Sequence, residues 1–286
     1  MDFPNNFPKQ TQSKQPGFEY EMKPTPIFEH TLYNPNIDKL KNKVAIVTGG
    51  DSGIGRAVSI SLAKNGCDVC IVYLNEDEDA NLTKQKIESL NRKCLLIKGD
   101  ISSSKFCDDV VKKTLDEFGK INILINNSAV QYENKNITDI DDEIFDKTFK
   151  TNVYGAFYLT KRVVPHLKKG DSIINTTSVV SYNGHETLLD YSMTKGALTT
   201  FTRSLALQLS PKGIRVNAVA PGPIWTPLIV SSFDENHVST FGQDTPLKRA
   251  GQPVECAEAY VFLASENASY ITGQTIHING GIMVNS

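Results

Sequence analysis

Residues 43–55 read KVAIVTGGDSGIG, and the fold turns on how this stretch is read. Val44 to Val47 form a short apolar run rich in β-branched residues, the composition of a buried strand. Glycines break the run. GIGRAVSISLAKNG, from Gly53 onward, then carries a helical pattern stopped by Asn65-Gly66. Strand, glycine turn and helix in that order place free N–H groups and the positive end of a helix dipole at one point, which favours an anion. Gly49, Gly53 and Gly55, spaced G-x-x-x-G-x-G, let the backbone turn tightly and let a diphosphate come close. A glycine-rich turn alone is a weak sign. Its place after the first strand and at the opening of a helix is what points to a nucleotide.

Outward from this unit, strand-like and helix-like segments alternate. CDVCIVYL (67–74), KCLLIKGD (93–100), INILINNS (121–128), DSIINTTS (171–178), IRVNAVAPG (214–222) and QTIHING (274–280) continue the strand series. Helical patterns cover 77–91 and, roughly, 103–118, 139–168, 190–210 and 253–264. Near-continuous Val/Ile/Leu strands separated by helices imply a parallel sheet covered on both faces. Right-handed crossovers then give an α/β fold: a single Rossmann-like, doubly wound domain over 43–286, with a parallel sheet of about seven strands. Residues 1–42 differ in composition. Six of the chain's 13 prolines lie there, mixed with Asn, Gln and Lys and without apolar periodicity. The expectation is an extension that clamps onto the domain or a neighbouring subunit, or stays partly disordered.

Charge is balanced, with 30 basic against 32 acidic residues in 286, so no global attraction to nucleic acid or an anionic membrane follows. No apolar run approaches the roughly 20 residues that span a bilayer. The N-terminus, MDFPNNFPKQTQSKQPGFEY, has neither an apolar h-region nor a small-residue cleavage site. Cys67 and Cys70 have C-x-x-C spacing, but CDVCIVY reads as a buried strand in which cysteine packs as a small hydrophobe. The cysteine pattern fits a reducing cytoplasm. His30, His166, His185, His237 and His277 form no metal-binding spacing, so no metal is expected.

Two further places carry chemistry. After the second strand comes VYLNEDEDA, with Leu74 where an arginine would be wanted for a 2′-phosphate and four acids at 76–79. Ser52, in the glycine turn, is not basic either, so NAD is favoured over NADP; the acids also suit the first turn of a helix. With Tyr73 near the point where a ribose-binding Asp usually stands, NADP use remains open. The second place is YSMTK, 191–195, where Tyr191 and Lys195 lie four apart and so on one face of a helix. Alone, the pair reads equally as an ordinary helix face. An ammonium beside the phenol would nonetheless lower a pKa that otherwise sits near 10. Ser178 ends a strand thirteen residues earlier, at the carboxyl edge where α/β ligands bind.

Together these pieces resemble the short-chain dehydrogenase/reductase family, from about Lys43 to the C-terminus. They are TGGDSGIG (48–55), GD (99–100), NNSA (126–129), Asn152 in TNVYGAF, Ser178, YSMTK and PGPIWT (221–226). EHTLYNPNIDKLKNKVAIVTGGDSGIG (29–55) looks like a bacterial subgroup labelled glucose/ribitol dehydrogenase-like or general stress proteins. The resemblance implies hydride transfer between a nicotinamide cofactor and a small secondary alcohol or carbonyl. Tyr191 would be the general acid/base, and Lys195 would lower its pKa and bond the nicotinamide ribose. Ser178 would hold the substrate oxygen, and Asn152 a water that relays the proton. Gly49, Asp51, Ser52, Gly53, Ile54 and Gly55 would hold the cofactor in the turn, with Tyr73 and Leu74 beside its ribose. Asp100 and Ile101 would flank the adenine, Asn127 and Ala129 the adenosine ribose, and Pro221, Gly222, Ile224 and Thr226 the nicotinamide and its phosphate. The family's usual NNAG is NNSA here, which alters the adenosine pocket. Its enoyl reductases use a longer Tyr-to-Lys spacing, leaving a reductase of 3-oxoacyl thioesters, or a dinucleotide sensor without chemistry, as the alternatives. A homotetramer is implied, packed through the helices near 139–168 and 190–210 and the C-terminal strand.

On the substrate side, PLIVSSFDENHVSTFGQDTPLKRA (227–250) is long for a connection and reads as a lid. Val180, His185 and Trp225, together with Glu186, are expected to reach the pocket. His185 can serve as a second proton carrier, a sugar-hydroxyl partner or a polar rim residue.

Overall fold

The computed structural model describes residues 4, 6–29 and 38–284; His30 and most of the EHTLYNPN segment lie outside the described residues. Seven strands form one sheet: β1 Val44–Thr48, β2 Asp68–Tyr73, β3 Cys94–Lys98, β4 Ile123–Asn126, β5 Ser172–Thr176, β6 Arg215–Pro221 and β7 Thr275–Ile278. Their order is β3-β2-β1-β4-β5-β6-β7, and every pairing is parallel. The strand order reverses between β1 and β4, so a crevice opens beyond their carboxyl ends. That crevice lies beside the glycine turn and Asn127.

Alternation along the strands feeds two cores. Ala45, Val47, Val69 and Ile71 pack against helices α1 (Gly53–Lys64) and α10 (Pro253–Ala264). Ile46, Cys70, Val72 and Leu124 pack on the other face against α3 (Ser104–Phe118), α5 (Gly155–Val163) and α7 (Leu189–Leu209). With both faces covered, the strands need no polar side, which is why they read as continuous apolar runs. Helix α2 (Asp77–Glu88) follows β2. All five cysteines are buried free thiols, and burial raises the Cys70 thiol to about 12. Among the described residues, no helix is long and apolar enough to cross a membrane.

Three local features depart from the expectation. The helix expected over 139–168 is two, α4 (Asp142–Phe149) and α5, joined by a π turn at Lys150–Tyr154. There the Asn152 side chain bonds the Val130 backbone on both sides, accepting at 2.9 Å and donating at 2.9 Å, and this tertiary contact holds the widened turn. Short helices also form where loops were expected: α6 (Val180–Asn183), α8 (Pro227–Val230) and α9 (Glu235–Thr240). Asp234 caps α9 by accepting from the Asn236 and His237 N–H groups.

The described part of the N-terminal extension lies on its own domain. Phe7 stacks on Trp225 at 3.7 Å, and both join a third apolar cluster with Met22 and with Ile229, Val230 and Phe233 of the lid. The Trp225 indole N–H donates to the Pro24 carbonyl at 2.9 Å. Farther along, the Ile27 N–H donates to Gln252 and its carbonyl accepts from Val254, at the start of α10.

Candidate active site

The glycine turn closes because three positions have no side chain. Gly49 and Gly53 take φ of +60° and +50°, which glycine adopts without strain. At Gly55 a Cβ would stand 1.8 Å from the Gly49 carbonyl oxygen. The start of α1 therefore rests directly on the end of β1. The Asn127 side chain fixes the turn from β4 by donating to the Thr48 and Gly49 carbonyls at 3.1 and 3.2 Å.

Above this turn runs one cleft of about 820 Å³. Of the residues expected at the site, Gly49, Asp51, Ser52, Gly53, Ile54, Tyr73, Leu74, Asp100, Ile101, Asn127 and Ala129 line it around the glycine turn and the carboxyl ends of β2, β3 and β4. Ser178, Val180, His185, Tyr191, Lys195, Pro221, Gly222 and Ile224 also line it, as does Thr226, which lies against Gly53 of the turn. Four expected residues do not, and one of them, Glu186, is exposed to solvent outside the cleft. Gly55 lies beneath the turn, as its contact with Gly49 requires. Asn152 is buried behind Val130 and also donates to the Thr194 hydroxyl at 3.1 Å. Trp225, expected against substrate, is fully buried and faces the extension instead, because Phe7 and Pro24 supply the stacking and hydrogen-bond partners an indole seeks.

Helix α7 carries Tyr191 and Lys195 one turn apart, both buried, over the carboxyl end of β5. The Lys195 ammonium donates to the Thr176 carbonyl at 2.8 Å and lies 5.4 Å from the centre of the Tyr191 ring. The Ser178 hydroxyl lies beside Tyr191 and accepts from the Val180 N–H at 3.3 Å. A lowered phenol pKa was expected from Lys195; in the chain alone, burial works against it. Burial pushes Tyr191 up to about 12, against a lowering by Ser178, and pushes Lys195 down to about 7. Removing both groups from water disfavours both charged forms, and at this separation the ammonium does not overcome that. At neutral pH Tyr191 is therefore a phenol with a proton to give.

Beside the glycine turn and the end of β2 the lining side chains include two acids. Asp51 and Glu76 are both buried; burial and the neighbouring carboxylate push Asp51 up to about 7, and burial raises Glu76. The nearby cations are engaged: Arg56 pairs with Glu19 and Asp79, and Lys98 with Asp77. Tyr73 donates its hydroxyl to Asp77 at 2.9 Å. Elsewhere in the cleft His185 and His237 face Phe233, and burial lowers the His185 pKa. Among the described residues no group of His, Cys, Asp and Glu could hold a metal ion.

Sequence reasoning missed Gln15, Pro16 and Gly17, which also line the cleft, and Gln131, Phe233 and Phe241. The first three sit in a segment without periodicity, and nothing local pairs residue 15 with residue 131.

Comparison with known proteins places this geometry. Residues 49–283 match a family model described as Enoyl-(Acyl carrier protein) reductase. General stress protein 39 of Bacillus subtilis (strain 168) is 55% identical over 283 residues, covering 99% of each chain. Glucose and ribitol dehydrogenase homolog 2 of Arabidopsis thaliana is 48% identical over 289 residues, again covering 99% of each. A short chain dehydrogenase from Burkholderia cenocepacia J2315, solved in complex with NADP, superposes with a TM-score of 0.80 at 29% identity, covering 85% of this chain and 98% of that one. A 3-ketoacyl-(acyl-carrier-protein) reductase from Brucella melitensis, solved with NADH, gives 0.79 at 32% identity, covering 86% and 100%. With these matches spanning the strand, glycine turn and Tyr–Lys helix alike, the chain belongs to the short-chain dehydrogenase/reductase family.

Proposed function

We propose that this oxidoreductase moves a hydride between a nicotinamide dinucleotide and a secondary alcohol or carbonyl of a small molecule. The observation that carries the reading is the joint placement of Ser178, Tyr191 and Lys195 at one end of a cleft whose other end is the glycine turn. The cleft fits such a cofactor: Ser52, Gly53 and Ile54 at the opening of α1 line it, with the Gly53 N–H held by Glu19, and the Gly49–Gly55 contact lets a diphosphate come down onto the backbone. A bound dinucleotide supplies or accepts the hydride. The chain's own residues do the rest. The Ser178 and Tyr191 hydroxyls converge on one substrate oxygen, Tyr191 gives that oxygen a proton in reduction, and the Lys195 ammonium stabilises the phenolate left behind. Asn152, tied to Val130 and Thr194, holds the π turn and α7 in register as a positioning residue.

Asp51 and Glu76 suit the hydroxyls of an unphosphorylated ribose and oppose a 2′-phosphate, while Arg56 and Lys98 are occupied elsewhere. The expected result is an NADH dissociation constant about tenfold or more below that of NADPH, since one unpaired charge repulsion of about 1.4 kcal/mol already gives that ratio. Titration of both, beside turnover on a panel of aldoses, small ketones, aldehydes and 3-oxoacyl thioesters, tests the reading. Dinucleotide binding without turnover of any compound would favour a sensor; turnover of thioesters alone would favour the acyl alternative.

Tyr154, at the end of the π turn, and Phe157 on α5 are exposed and sit with Leu198 and Phe201 of α7 around an apolar hollow. We read this face as the subunit contact of a homotetramer. Light scattering should then give four times the 31.6 kDa chain mass, and a monomer would reject the contact. Five free thiols suit a reducing compartment such as the cytoplasm.

A further inference from the structure

The proposed proton chemistry leaves the N-terminal extension unused, yet residues 15–17 of it line the cleft. On one side the Gln15 amide meets the wall beyond β4: its Nε2 donates to the Gln131 carbonyl, and its Oε1 accepts from the Gln131 N–H at 3.1 Å. The same Nε2 reaches the lid at the Ser231 carbonyl (3.2 Å) and the Ser232 hydroxyl (3.3 Å). One side chain thus spans both rims. Gly17 lies so close to the lid that a Cβ would stand 2.6 Å from the Pro227 carbonyl oxygen. Upstream, Gln12 donates its N–H to the Val230 carbonyl at 2.6 Å, and Thr11 its hydroxyl to Phe233.

Two residues past Gly17 the chain is held firmly. The Glu19 carboxylate accepts from the Gly53 N–H at 2.6 Å, in the glycine turn itself, and pairs with Arg56. Arg56 in turn pairs with Asp79 at 2.8 Å, whose other oxygen accepts the Glu19 N–H at 2.9 Å. All three side chains are buried. The Glu19 end is therefore an anchor of charge-assisted bonds, whereas Gln15 makes neutral bonds in a half-buried place.

We propose that residues 15–19 form a strap that closes over the bound dinucleotide and gates its exchange, with Glu19 as the hinge-side anchor and Gln15 as the latch. This rests on reading the cleft as a dinucleotide site. The strap joins the lid to the glycine turn, so entry and departure of a ligand as long as a dinucleotide require Gln15 to release Gln131. Because Gln12 and Thr11 tie the strap to the lid, the two open together.

Stopped-flow fluorescence with NADH tests this on the full chain, using Gln15→Ala and, as an independent disturbance from the lid side, Gly17→Ala. A gate slows both directions, so its removal should raise the association and the dissociation rate constants together, by about tenfold for the loss of two or three neutral hydrogen bonds, with little change in their ratio. A lost contact would instead raise dissociation alone, and that outcome overturns the gate. Rates unchanged in both variants overturn it as well. Trp225 is the only tryptophan and stacks on Phe7, so its emission reports independently whether the extension is still seated. Failure of the wild type to bind NADH or NADPH overturns the dinucleotide reading itself; unchanged variant rates in a wild type that binds overturn the strap alone.

Discussion

Tyr191→Phe should lower kcat by about 10²–10⁴-fold, the usual worth of a positioned acid/base, while the NADH dissociation constant should stay within about threefold of wild type. The change removes one oxygen from a buried ring in an otherwise unaltered apolar cluster with Val180, Leu188 and Ile229, so folding survives it. What is lost is the phenolic proton placed beside Ser178. The pH dependence identifies that proton. With Tyr191 raised to about 12, the phenol required for carbonyl reduction is present throughout the neutral range. The phenolate required for alcohol oxidation is scarce there, so oxidation should climb with pH. Lys195, lowered to about 7, carries its stabilising ammonium below that pH and loses it above, so reduction should fall as pH rises through 7. Turnover measured in both directions from pH 6 to 10, in wild type and variant, checks the assignment. Full activity in the phenylalanine variant would sink the acid/base role.

The fold was legible because its signals are local. A buried β-branched run, a glycine turn and a helix pattern each declare themselves within a dozen residues, and repetition of that unit leaves few topologies. The carboxyl-edge residues were legible for the same reason: Ser178 ends a strand, and Tyr191 and Lys195 share a helix face whatever packs above them. The failures are all long-range. Trp225 adjoins the cofactor segment in sequence, yet its ring turns away because Phe7, more than two hundred residues earlier, offers a better surface. The π turn at Asn152 exists because Val130 accepts and donates across the fold. Nothing near Gln15 announces a partner at 131. The Tyr191 pKa shows a different limit, since spacing brings a cation close but does not say how much water burial removes from both groups. Spacing sets the Coulomb interaction; the core sets the desolvation, and here desolvation is larger.

Gly55→Ala tests the opposite end of the cleft and should do the most damage per atom added. A single methyl at that position would stand 1.8 Å from the Gly49 carbonyl oxygen, 2.6 Å from its carbon and 2.8 Å from the Asn127 amide nitrogen. Two of the three are backbone atoms, and Gly49 cannot retreat. Its N–H is bonded to the Val72 carbonyl at 2.8 Å, and its own Cβ position already faces Ser128 and Asn127 at 3.1–3.2 Å. Either α1 tilts away from β1 or the turn opens. The first loosens the packing of Ala57, Val58 and Ile60 on the sheet; the second misdirects the N–H groups that would meet a diphosphate. Overpacking of this kind costs about 3 kcal/mol or more. At about 2–4 °C per kcal/mol, the melting temperature should fall by roughly 10 °C. Dinucleotide affinity should fall in the protein that remains folded. Gly196→Ala is the matched control: it lies within α7 with nothing in the path of a Cβ, and a helical Gly-to-Ala exchange is neutral or stabilising by up to about 1 kcal/mol. Calorimetry and NADH titration on the two variants separate the loss of a glycine from the loss of this contact. If Gly55→Ala melts and binds like wild type, the close seating of α1 on β1 is not what shapes the cofactor end of the cleft.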